Sequence, residues 1–148
     1  MTMNEKRTPD VGFVLKQIVT KQFATIEDAF VEGCPVSMNV ELRFSVNSEN
    51  RIINASAIFK FINNGLPFLL LEVECFFEIK ETSWKQFIDE QGNICVPKDF
   101  IRYLAMHTVG TARGVLHAKT ENTQYNRYII PPINVAEMVQ DDLKVNIQ

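Results

Sequence analysis

From residue 38 to residue 79 the chain alternates so regularly that it leaves few folds open. Val36, Met38, Val40, Leu42, Phe44 and Val46 are separated by Ser37, Asn39, Glu41, Arg43 and Ser45. Successive side chains of an extended strand point to opposite faces, so one set lines one face of a sheet and the other set its reverse. Asn47, Ser48, Glu49 and Asn50 supply turn chemistry. Ile53, Ala55, Ala57, Phe59 and Phe61 then alternate again, up to Asn63-Asn64-Gly65. Asn and Gly accept positive φ at little steric cost, so this triplet predicts a tight turn. Beyond it Leu69, Leu71, Val73, Cys75, Phe77 and Ile79 share one face, and Phe68, Leu70, Glu72, Glu74, Phe76 and Glu78 the other. The pattern predicts three consecutive antiparallel strands, the third apolar on part of both faces. Phe68, Leu70 and Phe76 therefore need a cover: a helix, another subunit or a bound polypeptide.

The chain has 148 residues, a length that suits one domain over 1–148 with one sizeable core. Its net charge of −3 offers no basic field for nucleic acid or anionic lipid. Eleven phenylalanines stand against three tyrosines and one tryptophan, which fits a Phe-rich core or an apolar binding surface. Residues 1–11 read as a flexible tail without the apolar stretch of a signal peptide, and no run approaches the length of a membrane span. A cytoplasmic location is expected, and there Cys34, Cys75 and Cys95 are expected to be free thiols.

Residues 13–23 are β-prone, and the period breaks between Leu15 and Ile18, which suggests a bulge. Residues 24–35 read as a crossing loop that tucks Ile26, Ala29 and Phe30 against the sheet. Thr82 or Ser83 can cap a short helix carrying Trp84, Phe87 and Ile88. A long helix is expected from residue 98 or 99 to about 119. Ile101, Leu104, Ala105, Thr108, Ala112, Val115 and Leu116 recur there at helical spacing, on a rod of about 30 Å. Gly110 and Gly114 inside that helix each cost roughly 1 kcal/mol against alanine. Close approach of the sheet or of a second subunit's helix would offset this. Asn134 can cap a last amphipathic helix, from 135 to about 143. The expected fold class is α+β: a four-stranded antiparallel sheet with one long helix and a short C-terminal helix.

No phosphate-cradling loop, dinucleotide fingerprint or Cys-Xaa-Xaa-Cys pair is present. His107 and His117 lie ten positions apart, about 15 Å along one helix, too far to share a metal. Cys95 with His107 is the one candidate nucleophile pair. Glu72, Glu74 and Glu78 read as a solvated strand face, an acid–base or metal site, or a docking patch for a basic partner. The expectation is a protein with no cofactor, no resident metal and no catalytic centre.

Four segments in order carry a resemblance to a family. Phe13-Val14-Leu15-Lys16-Gln17-Ile18-Val19-Thr20-Lys21 is similar to the first strand of the protein-export chaperone SecB family. Pro67-Phe68-Leu69-Leu70-Leu71-Glu72-Val73, with Phe77-Glu78-Ile79, resembles that family's fourth strand. Ile94-Cys95-Val96-Pro97 resembles the entry to its long helix, and Ile129-Ile130-Pro131-Pro132-Ile133-Asn134 the segment before its last helix. The set spans roughly residues 13–138.

The resemblance implies a Greek-key crossing and a dimer of dimers in which the long helices meet, here through Leu104, Thr108, Gly110, Thr111 and Gly114. It implies ATP-independent holding of unfolded or precursor polypeptides in apolar grooves. Ile26, Phe30, Phe68, Leu70, Phe76, Trp84 and Phe87 are the candidate client-binding residues. It further implies docking of a translocation motor ATPase at Leu70 and Glu72; the acidic residue that the family carries on its first strand is Gln22 here. Two other functions fit the residues. One is an adaptor of this type dedicated to a single protein partner, such as a toxin–antitoxin chaperone. The other is an unrelated enzyme or small-molecule carrier.

Overall fold

The computed structural model describes residues 10–146. Four long strands form one antiparallel sheet: β1 (Phe13–Thr25), β2 (Val36–Asn47), β3 (Ile52–Asn63) and β4 (Leu66–Ile79). Their order is β1-β4-β3-β2, so β2, β3 and β4 run as a meander while the chain crosses from β1 to the far edge. The crossing passes through a 3-10 turn, Glu27–Ala29. The fold is α+β, as the sequence pattern requires.

The local chemistry behaves as expected at several points. Asn64 and Gly65 turn β3 into β4 with φ of 52° and 78°, the backbone that joins two strands without splaying them. β1 carries the expected irregularity at Lys16, and a second one at Lys21. Both lysines lie where β1 has one residue more than β4.

The long helix α2 (Lys98–Thr120) packs on β3 and β4. Its stripe meets a sheet face where Ile53, Ala57, Phe59, Leu69, Val73 and Ile79 have no exposure. Before it comes α1 (Glu81–Gln86), which starts two residues earlier than a Thr82 cap and three earlier than a Ser83 cap would place it. Ser83 is buried, and its Oγ accepts a hydrogen bond from the Gly12 N–H at 2.9 Å instead. That bond, with Val11 packed against the core, ties down the end of the segment expected to be a loose tail; the rest of that segment, residues 1–9, lies outside the described residues.

The C-terminal end departs from expectation. Asn134 caps a helix, but α3 is only Val135–Met138. The chain then extends into β6 (Leu143–Val145), which pairs with β5 (Ile94–Val96). Asp142 explains the change. Its carboxylate accepts the Lys98 N–H at 2.8 Å and so caps α2, where Pro97 has no side-chain donor or acceptor to offer.

Candidate functional site

Three surfaces could bind another chain. The first is the free edge formed by β2. Its apolar row, Val36, Met38, Val40, Leu42, Phe44 and Val46, is only half-buried, whereas the facing row of β3 is fully buried. The cause is placement: α2 lies over β3 and β4 and stops short of the edge. The β2–β3 register runs without a shift from Val36 to Asn47. A regular 12-residue edge with unpaired backbone groups is a template for another strand. The opposite edge differs, because bulges at Lys16 and Lys21 interrupt the ladder of β1. Leu15 and Ile18 of that strand are nonetheless exposed on the helix side.

The second surface is the sheet face away from α2. Residues directly opposite in neighbouring strands share a face. Glu72 lies opposite Gln22 and Ile58, Phe76 opposite Gln17 and Asn54, and Leu70 opposite Ala24 and Lys60. Leu70, Glu72 and Phe76 are therefore together and half-exposed on this face. The carboxylates around them have partners in the chain. Lys21 Nζ lies 2.6 Å from Glu74, which also accepts from Asn54 Nδ2 at 3.0 Å. Lys16 Nζ donates to Glu78 at 2.7 Å and lowers its carboxyl below the ordinary value. The lysines at the bulges supply these charges, so the row is not an uncompensated acidic patch. Among the described residues no cluster of three or more His, Cys, Asp or Glu side chains could hold a metal.

The third surface is an aromatic cluster under the crossing loop. Phe30 packs on Phe68 with ring centroids 4.9 Å apart, and Tyr125 and Tyr128 close over both. Phe61 joins from β3 through Tyr128. The buried Asn63 side chain accepts the Val31 N–H at 2.9 Å and donates to the carbonyls of Val31 and Cys34, which pins the loop. Arg127 reaches across with two nitrogens to the two oxygens of Glu32, at 3.0 and 3.1 Å. Its guanidinium also lies over the rings of Phe30 and Tyr128, at 5.4 and 5.1 Å.

Several expected site residues need correction. Phe68 does not lie on the open face with Leu70 and Phe76. Phe61 pairs with Leu69 and Ile62 with Pro67, so Phe68 is an extra residue in β4. The bulge resets the alternation, and Phe68 turns inward with no exposure. Trp84 and Phe87 are also core, packed edge to face against each other and through Phe87 against Phe100. Ile26 stays 40% exposed, and its N–H donates to the Phe68 carbonyl at 2.7 Å.

On α2 the candidates for an interface divide between two faces. Leu104 and Thr108 are fully buried against the chain's own sheet, where Thr108 and Thr111 contact Cys75. Burial pushes the Cys75 thiol up and keeps it neutral. Gly110 and Gly114 are on the outside with Tyr103 and Met106. A Cβ at either glycine would meet nothing within 4 Å, so close approach to the chain's own sheet does not explain them.

Cys95 and His107 are not joined. Cys95 Sγ lies 3.9 Å from Asp142 Oδ2, while His107 sits among Tyr103, Phe13 and Phe77. A concavity near the start of α2 is lined by Asp10, Val11, Phe13, Pro97, Asp99, Phe100 and Tyr103, and includes neither Phe68 nor Phe76. Sequence reasoning missed the roof of the aromatic cluster. The available signal was Tyr125 and Tyr128, three positions apart in an otherwise polar loop, the spacing that aligns side chains on a 3-10 turn.

No protein-family model matches the sequence, and no curated protein matches it. Similar solved structures include the Mycobacterium tuberculosis Rv1957 SecB-like chaperone in complex with a ChAD peptide from Rv1956 HigA1 antitoxin. Its identity to this chain is 10%, over 82% of this chain and 90% of that one, with a TM-score of 0.45. A protein of unknown function from Streptococcus agalactiae is similar at 12% identity, over 83% of this chain and 98% of that one, with a TM-score of 0.38.

Proposed function

We propose that this protein is a holding chaperone that binds extended, apolar segments of unfolded or precursor polypeptides without ATP. The observation that carries the reading is the β2 edge. An incoming strand there would pair its backbone with β2 and bury alternate side chains beside Met38, Val40, Leu42 and Phe44. Each apolar residue so buried gains about 25 cal/mol per Å² removed from water. Extended backbone with alternate apolar residues is what an unfolded chain presents, and holding it needs no catalytic group. The resemblance carried by the ordered motifs agrees with this reading.

The remaining surfaces extend the proposal. Tyr103, Met106, Gly110 and Gly114, with Leu15 and Ile18, form a face suited to a second copy of the chain, as a dimer or a dimer of dimers. The open face around Leu70 and Glu72 is the proposed docking site for a motor ATPase. Its carboxylates are partly neutralised by Lys16 and Lys21, which favours a partner that reads apolar surface as well as charge.

The test is light-scattering mass at micromolar concentration with an unfolded, slow-folding protein, together with suppression of that protein's aggregation. Co-migration and suppression with several unrelated clients support a general holding role. Suppression with none, and tight binding to one partner, overturns it in favour of a dedicated adaptor. Leu42→Asp on the β2 row should weaken client binding more than Phe76→Asp on the open face; the reverse order moves the groove to the open face.

A further inference from the structure

The concavity beside the start of α2 belongs to none of the three surfaces described above. It encloses about 490 Å³, a size that suits a small molecule. Three rings line it: Phe13 at the start of β1, and Phe100 and Tyr103 from the first turns of α2. They do not stack flat. Phe13 stands at 73° to Phe100, with centroids 5.5 Å apart, and at 86° to Tyr103, at 5.9 Å. Rings set this steeply wall a hollow on more than one side, and the face of each carries negative potential.

Two carboxylates, Asp10 and Asp99, share the lining and are exposed to solvent. Among the described residues no basic side chain lines the hollow. Lys98, beside Asp99 in the chain, lines a separate concavity with Asp141, Asp142 and Lys144. Asp99 has one cationic neighbour, Arg102, whose Nη1 lies 3.5 Å away. That guanidinium makes its shorter bonds to the carbonyls of Val139 and Ala136, at 2.7 and 3.1 Å, so its hold on Asp99 is the weakest of the three.

The walls are held in place by the chain itself. Phe13 packs edge to face on the buried Phe77, and Phe100 packs on the buried Phe87. The Gly12 N–H donates to Ser83 Oγ, and the Gly12 carbonyl accepts the Lys80 N–H at 2.8 Å, which fixes the backbone between Val11 and Phe13. A hollow whose walls are already ordered gives up little entropy on binding.

The lining selects the charge and the chemistry of an occupant. Both carboxylates repel an anion. A neutral apolar molecule gains from the rings and nothing from the carboxylates. A primary ammonium is strongly hydrated and brings three hydrogen-bond donors, for which a mostly aromatic wall offers few acceptors. A quaternary ammonium has no N–H to satisfy, carries methyl surface, and is attracted to ring faces. We infer that this hollow binds a small organic cation of the quaternary ammonium class, its methylated nitrogen against Phe13, Phe100 and Tyr103, with Asp10 and Asp99 as counter-charge. The site is separate from the β2 edge and does not depend on the holding-chaperone reading.

The test is a titration of the full chain, followed by nuclear magnetic resonance, with two probes of one shape. Butyrylcholine carries the quaternary nitrogen; 3,3-dimethylbutyl butyrate has carbon in its place. The cation should bind about tenfold more tightly than the neutral ester, and shift the signals of Phe13, Phe100 and Tyr103. Tyr103→Leu and Asp10→Asn should each weaken the cation by about fivefold and leave the neutral ester unchanged. Neither residue is buried, so both variants should keep the fold. Tyr103 also borders the face proposed for a second copy, so light scattering accompanies the titration; Asp10 is not part of that face and gives an independent reading. Equal affinity for the two probes overturns recognition of the charge. No binding of either up to the millimolar range overturns the site. Cation binding that survives both substitutions places the cation elsewhere on the chain and overturns the assignment.

Discussion

Replacing Gly110 and Gly114 together by alanine tests what the outer face of α2 is for. Each glycine sits in a helix interior where a Cβ would meet nothing within 4 Å. Neither is among the glycines with positive φ, so alanine suits the backbone. A helix-interior glycine costs about 0.8–1.0 kcal/mol relative to alanine. The double variant of the isolated chain should therefore gain about 2 kcal/mol. For about 150 residues each kcal/mol moves the melting temperature by roughly 2–4 °C, so the expected rise is about 4–8 °C. The assay is thermal unfolding at a concentration low enough to keep the chain monomeric, paired with light-scattering mass at high concentration. If another helix packs closely on this face, the added methyls should weaken assembly while the monomer becomes more stable. A destabilised monomer would refute the argument, because it would mean that the glycines serve a contact within the chain. A stabilised monomer with unchanged assembly would place any subunit contact elsewhere.

Other outcomes follow from the same geometry. Phe68→Ala should cost about 3–5 kcal/mol in denaturant titration, because the ring has no exposure; a loss of client binding at unchanged stability would contradict its inward placement. Asp142→Ala should cost about 1 kcal/mol, measured the same way, by uncapping α2 at Lys98; no change would show that water serves that N–H as well. Lys16 holds the Glu78 carboxyl below its ordinary value of 4.5. A lowered carboxyl stabilises the fold above the unfolded value and stops doing so as pH falls through the folded one. The melting temperature of Glu78→Gln should therefore lie below that of the unmodified chain at pH 7, and the two should converge as pH falls below 4.5. A gap that persists in acid would assign the effect to packing.

How far the fold was readable depended on the range of the interaction. The strands, the tight turn at Asn64-Gly65, the bulge near Lys16 and the long helix are written in neighbouring residues, because alternation and helical spacing are local periodicities. The α+β class followed from them. The candidate site was less legible. Leu70, Glu72 and Phe76 share the face that alternation gave them, but Phe68 does not. A single bulge at that residue reverses parity, and the bulge is set by pairing with β3.

The sequence by itself also determined that α2 has an apolar stripe. Only the tertiary structure decided that the sheet takes Leu104 and Thr108, leaving Gly110 and Gly114 outside. The same holds for the C-terminal strand and for the roof over the aromatic cluster. β6 forms because Asp142 finds the N-terminus of α2, 44 residues away in sequence. Arg127 finds Glu32 across 95 residues. Such contacts are made by groups that only the folded sheet brings together, and no local pattern announces them.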